Sequence, residues 1–452
     1  MSDLLFYITL WCSVTLAVGL TLARKRTPTV GLTVAYLSNL SLNHFFGAVI
    51  YLLPWYESSA ANQLLLGFRE SVWGLVGFAV GSLALSPVLL AATRSLWSRL
   101  RAYQPDRRLP RTYILAGLVA YFIVAPLAGA IPSMGALVAS GWTLVIVAVC
   151  LATWQAWQSR RRKLLRWIFA SLGFPIVTVL GQGFLGYGIA ALIIVFCFVA
   201  SFYRPRWKVA IGTLLVIYMG LSLFVTYFRD RDEIRELVWS GEASLAKRMA
   251  STTRIFTQFE FLDLQNTEHL GRIDGRLNQN LLVGEAVAYV EGGNIEFAKG
   301  ETIWQALVSI IPRILWPGKP VTAGSGDYVS LYTGRVFSEG TSVGMGQVFE
   351  FYINYGRYCV VFGFFLLGGI ITFIDVIAGH ALIKNNWKTC VYWFLPGVAF
   401  LQAGGSLVEV TSTFMASLAF CWLVNKHLLP HMTGKRIPWG RLFGKRRPGG
   451  TV

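Results

Sequence analysis

The chain has 452 residues, 55% of them hydrophobic and 14% charged, against about 25% charged in a soluble domain, and its mean hydropathy is +0.55. These values exclude a soluble chain and indicate an integral membrane protein. The net charge of +18 would suit a nucleic-acid binder only if it were gathered on one folded surface; the basic residues instead fall in short clusters between apolar runs, so that partner is excluded too.

A spanning helix requires roughly 20 mainly apolar residues. In chain order the expected spans are 4–23, 30–53, 71–93, 113–131, 135–157, 165–182, 186–203, 208–228, 357–382, 389–404 and 406–428. The fold class is therefore an all-α polytopic membrane protein with about eleven transmembrane helices and one large helical loop. The first run lacks a basic start and is followed by Arg-Lys-Arg rather than a small-residue cleavage site, so it reads as a span and not a signal peptide. All six cysteines lie in apolar segments without metal-ligand spacing and read as small hydrophobes.

The basic clusters are Arg24–Arg26, Arg94–Arg111, Arg160–Arg166, Arg204–Lys208, Lys384 with Lys388, and Lys426–Arg447. Assigning all of them to the cytoplasmic face gives an outside N-terminus and an inside C-terminus. Between Arg229 and Gly356 stand 16 of the 22 acidic residues and only 12 of the 40 basic ones. This acidic segment then lies outside, in the periplasm if the membrane is a bacterial inner membrane. The organisation expected is 1–228, N-terminal spans; 229–356, a periplasmic loop with the site; 357–428, C-terminal spans; and 429–452, a basic tail.

The loop contains helix-period stretches, "DEIRELVWSGEASLAKRMA" and "ETIWQALVSIIPRIL". In the second, Ile303, Leu307, Ile310 and Ile311 form an apolar face suited to a membrane surface or to the bundle. The following "IPRILWPGKP" stops the helix near Ile311 with Pro312 and holds Arg313, Trp316 and Lys319 at the membrane surface. Two readings stay open for Arg313: a snorkelling anchor, or a cation for a phosphate ligand.

"GETIWQALVSIIPRILWPGKP" (Gly300–Pro320) and "EFYINYG" (Glu350–Gly356) resemble loop motifs of bacterial oligosaccharide repeat-unit polymerases, the O-antigen polymerase or Wzy-like group of GT-C type. The pairs Arg313 with Gly324 and Arg335 with Gly346 also fit that family's Arg-x10-Gly pattern. One departure concerns the related O-antigen ligases, which use a loop histidine in a longer signature; His269 in "NTEHLGR" does not match it.

The resemblance implies a glycosyltransferase that polymerises undecaprenyl-pyrophosphate-linked repeat units, with both donor and acceptor carried on lipid. It implies no cofactor and no metal, membrane lipids around the chain and a chain-length-regulating copolymerase as a partner. Without a metal, fixed cations must neutralise the departing diphosphate, and arginine's planar fork suits that role. Arg254, Arg272, Arg276, Arg313 and Arg335 are the loop candidates, with Lys319, Trp316, Tyr352 and Asn354 as further substrate contacts. Glu350 is the expected base for the acceptor hydroxyl, against a structural pairing with a loop arginine. Glu409 is a second acid near a helix start, and Asp327 and Glu339 rank below it. Arg229, Arg231 and Arg235 interleave with acids and read as a salt-bridged helix.

A ligase-like polyprenyl-linked glycosyltransferase remains an alternative, as does a lipid-linked-glycan transporter. Against the transporter, the ionisable residues concentrate in the loop rather than at the bilayer midplane.

Overall fold

The computed structural model describes residues 2–24, 27–128, 134–159, 161–203, 206–239, 253, 257–311, 315–316, 318–319, 324–337 and 343–430. Among these residues all regular structure is helical. Among the described residues, eight helices are long and apolar enough to cross a membrane: Ser2–Arg24, Ala61–Ala92, Leu137–Ser159, Lys163–Gln182, Leu185–Phe202, Ile211–Arg229, Gln347–Ile383 and Leu407–Leu428. The chain is a membrane-embedded helical protein. The other three expected intervals also hold helices, Leu32–Ile50, the shorter apolar Leu109–Val124 and the 13-residue Trp387–Ala399.

The helices used below are α1 (Ser2–Arg24), α2 (Leu32–Ile50), α3 (Ala61–Val80), α4 (Leu109–Val119), α5 (Met134–Ser159), α6 (Arg161–Ser171), α7 (Gly173–Gln182), α8 (Leu185–Phe202), α9 (Arg206–Arg229), α10 (Arg231–Trp239), α11 (Thr267–Leu277), α12 (Asn280–Glu291), α13 (Glu301–Ser309), α14 (Ser325–Thr333), α15 (Gln347–Ile383), α16 (Trp387–Ala399) and α17 (Leu407–Leu423). The third helical rod starts ten residues before the expected span and continues through a wide turn at Gly81–Leu85 to Ala92. Its partner α15 packs along it more extensively than any other pair of helices. Small residues make that approach possible, since a Cβ on Gly81 would stand 1.9 Å from the Phe365 carbonyl oxygen.

The described part of the acidic segment around residues 274–280 is docked on the spans rather than looped away from them. Tyr56 donates to Asp274 Oδ2 at 2.7 Å, Asn278 Nδ2 to Asp274 Oδ1 at 2.6 Å, and Asn280 Nδ2 to Asn278 Oδ1 at 2.8 Å. The chain ends in the bundle, where Asn280 Oδ1 meets His44 Nδ1 at 2.8 Å. Behind it α12 lies against α3 at backbone distance: a Cβ on Gly284 would fall 1.7 Å from the Gln63 carbonyl oxygen. Buried polar groups satisfied in this way fix one docking geometry, because shifting the pair leaves donors unpaired.

Helix α13 ends at Ser309, just ahead of Pro312 as the sequence indicates, but its buried face is not the apolar one. Thr302, Ala306 and Ser309 are buried, while Trp304, Leu307 and Ile311 are exposed. The small face packs on α17, where Ser309 Oγ and Thr411 Oγ1 lie 2.6 Å apart. The bulky face is left outward, which suits a membrane surface.

Candidate functional site

Four helix starts converge on one cleft. Its lining comprises Thr302 and Gln305 of α13, Gly324, Ser325 and Tyr328 of α14, Met345 and Glu350 at the start of α15, and Ser406, Val408 and Glu409 at the start of α17. It encloses about 480 Å³ of empty space, part of it open to solvent. The helix starts are placed by local chemistry: Gly324 caps α14 by donating its N–H to Asp327 Oδ2 at 2.8 Å, and Gly346 enters α15 with φ of 72°, a left-handed conformation open to glycine. Ser406 and Glu409 form a capping box on α17, each side chain accepting the other's N–H at 3.2 Å.

Glu350 is the buried acid of this cleft, with no exposed surface. Its Oε2 accepts the Leu407 N–H at 2.6 Å, at the positive end of α17. Its Oε1 has no hydrogen-bond partner among the described residues. A buried carboxylate oxygen left free in a cleft can accept a proton or a hydroxyl hydrogen bond from a ligand. Opposite, Tyr328 donates to Glu301 Oε1 at 2.9 Å and accepts from Gln305 Nε2 at 2.7 Å. Burial, and then the bond to the Glu301 carboxylate, push the Tyr328 phenol up to about 12, so it stays a neutral donor at physiological pH.

The two sequence strings meet here. Asn354 donates from Nδ2 to Thr302 Oγ1 at 2.8 Å and to the Glu350 carbonyl at 2.7 Å, and its Oδ1 accepts the Gly300 N–H at 3.0 Å. Backbone bonds from Ala298 to Ile353 and from Lys299 to Asn354 extend the junction. Directly after it the helix breaks, at Tyr355 and at Gly356 with φ of 65°. Asn354 is therefore buried and fully engaged in structure, and Tyr352 points elsewhere, its hydroxyl donating to Glu291 at 3.3 Å.

Among the described residues, the expected cations Arg272, Arg276, Arg335 and Lys319 do not line the cleft. Arg272 and Arg276 do share a helix, α11, but Arg272 binds Glu268 and the Val225 carbonyl, with Glu260 at 3.9 Å. Arg276 is exposed, 5.7 Å from the Phe228 ring centre. Arg335 pairs with Glu285. Lys319 donates to the Ile311 carbonyl at 3.0 Å, and Trp316 is exposed. Arg254, Arg313 and Glu339 lie outside the described residues. In the acid-interleaved stretch, Arg229 bonds Asp230 and Glu260, Arg231 bonds Asp232 at 3.3 Å, and Arg235 stacks 4.5 Å over Phe184.

A family model described as a domain of unknown function, DUF8712, matches residues 81–382, two thirds of the sequence. The chain belongs to the DUF8712 family. The matched region contains α13, α14 and Glu350, whereas the α17 wall of the cleft lies beyond it. No curated protein and no solved structure matches this DUF8712 chain. The cleft residues that sequence reasoning did not name as site residues are Thr302, Gln305, Ser325, Tyr328, Met345, Ser406 and Val408. Only Ser406 carried a local signal, the Ser-x-x-Glu capping pattern ahead of an apolar run.

Proposed function

We propose that this DUF8712 chain is a lipid-linked-glycan polymerase of the GT-C-like type, acting on undecaprenyl-pyrophosphate-linked repeat units at the periplasmic face of a bacterial inner membrane, with about eleven spans. A hydroxyl of the acceptor glycan attacks the anomeric carbon of the donor. The bond from that carbon to the phosphate oxygen breaks, the lipid diphosphate leaves with its electron pair, and the hydroxyl proton passes to Glu350. The observation that carries this reading is the free, fully buried Oε1 of Glu350 in a cleft that also presents the hydroxyls of Thr302, Ser325, Tyr328 and Ser406, the Gln305 amide and the Glu409 carboxylate beside the apolar Met345 and Val408. Such a wall suits a sugar, whose many hydroxyls both donate and accept.

The motif junction supports the same reading, because the two strings that resemble the polymerase family are hydrogen-bonded to one another at Asn354. Departing diphosphate falls to Arg313 and Arg254 in this proposal, since Arg272 and Arg335 are held by carboxylates. The test is a deletion strain examined for its surface polysaccharide. Single repeat units attached where polymer normally stands support the polymerase. Bare lipid core supports a ligase, and repeat units trapped on the cytoplasmic side support a transporter.

A further inference from the structure

Seven residues beyond Glu350, past the helix break, Arg357 meets a carboxylate that the cleft does not use. Glu70 on α3 is fully buried. Arg357 grips it as a fork, with Nη2 donating to Oε1 at 2.6 Å and Nε to Oε2 at 3.0 Å. Arg69 donates from Nε to the same Oε1 at 2.9 Å. Two guanidiniums share this one buried carboxylate, so each keeps N–H donors that Glu70 does not use. A further carboxylate, Glu291, stands 3.8 Å from Arg69 Nη2, more than half exposed and shared with the Tyr352 hydroxyl. Each guanidinium keeps its Nη1 free of protein partners among the described residues, and the Arg69 and Arg357 side chains are 26% and 42% exposed.

The surroundings of Arg357 say what such a charge faces. Tyr358, Phe362, Leu366 and Ile370 follow it at four-residue spacing and are all exposed, an apolar stripe down one face of a helix long enough to cross a membrane. Exposed apolar stripes on such helices face hydrocarbon, so the arginines stand at the head of a lipid-facing surface.

We propose that Arg69 and Arg357, positioned by Glu70, bind the phosphate of an anionic bilayer phospholipid whose acyl chain lies along Tyr358, Phe362, Leu366 and Ile370. The forks supply charge-assisted N–H donors to phosphate oxygens, and the buried Glu70 keeps both in place when the lipid exchanges. The proposal stands apart from the glycosyl-transfer reading and uses neither the cleft nor its residues.

The test titrates the purified full-length protein in detergent with phosphatidylglycerol, with phosphatidylcholine of the same chains and with farnesyl diphosphate, reading bound lipid by native mass spectrometry. Phosphatidylglycerol is expected to bind in preference to both. Arg357→Ala should weaken it about fivefold, Arg69→Ala similarly and Arg357→Lys less, while Lys299→Ala, which removes an exposed ammonium paired with Glu296 rather than with Glu70 or Glu291, should leave it unchanged. Thermal unfolding of each variant monitors folding, and Arg357→Lys keeps a cation on Glu70 should the alanine variants unfold. Wild-type affinity in both alanine variants, or equal binding of the two phospholipids, would reduce the trio to a structural clamp and overturn the proposal. A preference for farnesyl diphosphate would also overturn it, in favour of an isoprenoid carrier.

Discussion

Asn354 and Thr302, 52 residues apart in sequence, are joined by a 2.8 Å hydrogen bond from Nδ2 to Oγ1 in a fully buried junction. Asn354 also holds the Gly300 N–H, so it fixes the start of α13 against the start of α15. Asn354→Ala strands the Gly300 donor and the Thr302 hydroxyl in a buried site, at a cost of about 1–3 kcal/mol. Thr302→Val costs less, because Asn354 Nδ2 keeps the Glu350 carbonyl. Thermal unfolding in detergent checks the order. A Thr302→Val variant that melts below Asn354→Ala would show that the junction is not organised by the asparagine.

Glu350→Gln tests the base. The amide keeps the shape and can still accept the Leu407 N–H through its oxygen, but it cannot take a proton. Polymer formation is expected to fall about 100-fold or more, with the protein still inserted at wild-type level. Glu409→Gln is the comparison, since Glu409 is exposed and serves the capping box on α17. It should change helix stability by about 1 kcal/mol or less and leave polymer length intact. Normal polymer from Glu350→Gln sinks the assignment.

Arg313 separates an anchor from a phosphate ligand. If it holds the departing diphosphate, Arg313→Ala abolishes polymer and Arg313→Lys restores it only in part, because lysine keeps the charge and loses the fork. A snorkelling anchor asks only for a cation, so lysine would then serve nearly as well as arginine. Polymer length from membranes at matched protein level distinguishes them.

Gly284→Ala tests whether the docking of α12 on α3 is needed. The added Cβ would meet the Gln63 backbone oxygen at 1.7 Å, a contact no side-chain rotation relieves. The helices must separate, at a cost of about 1–3 kcal/mol or more, and the lower melting temperature is read in detergent. Gly271→Ala, where a Cβ meets nothing within 4 Å, should be neutral or slightly stabilising. Equal behaviour of the two variants would mean that α12 docks otherwise.

The spans were legible because hydrocarbon demands about 20 apolar residues in a row, a local and one-dimensional signal. The end of α13 before Pro312 was legible for a similar reason, since proline acts on the turn that precedes it. The buried face of α13 was not: a bulky apolar stripe marks a core face in water, but beside a membrane it can turn to lipid while Thr302, Ala306 and Ser309 make the close contact with α17. Arg272 likewise read as a phosphate cation; its i,i+4 partner Glu268 was local, but nothing local shows that the Val225 carbonyl and Glu260 also close around it.

The sequence by itself determined the membrane class, the helical composition and the prominence of Glu350, Arg313 and the two motif strings. The first two follow from hydropathy and apolar run length, whereas Glu350, Arg313 and the strings stood out through the resemblance to the polymerase group. Only the tertiary structure decided that Glu350 is fully buried with one oxygen bonded to Leu407 and the other free, that Glu409 shares its cleft, and that Glu70 carries both Arg69 and Arg357. Those relationships span 57 residues in the first case and 287 in the last. Hydrogen bonds and ion pairs act over a few ångströms of space, and only the packing of α3, α15 and α17 brings such distant positions within that range.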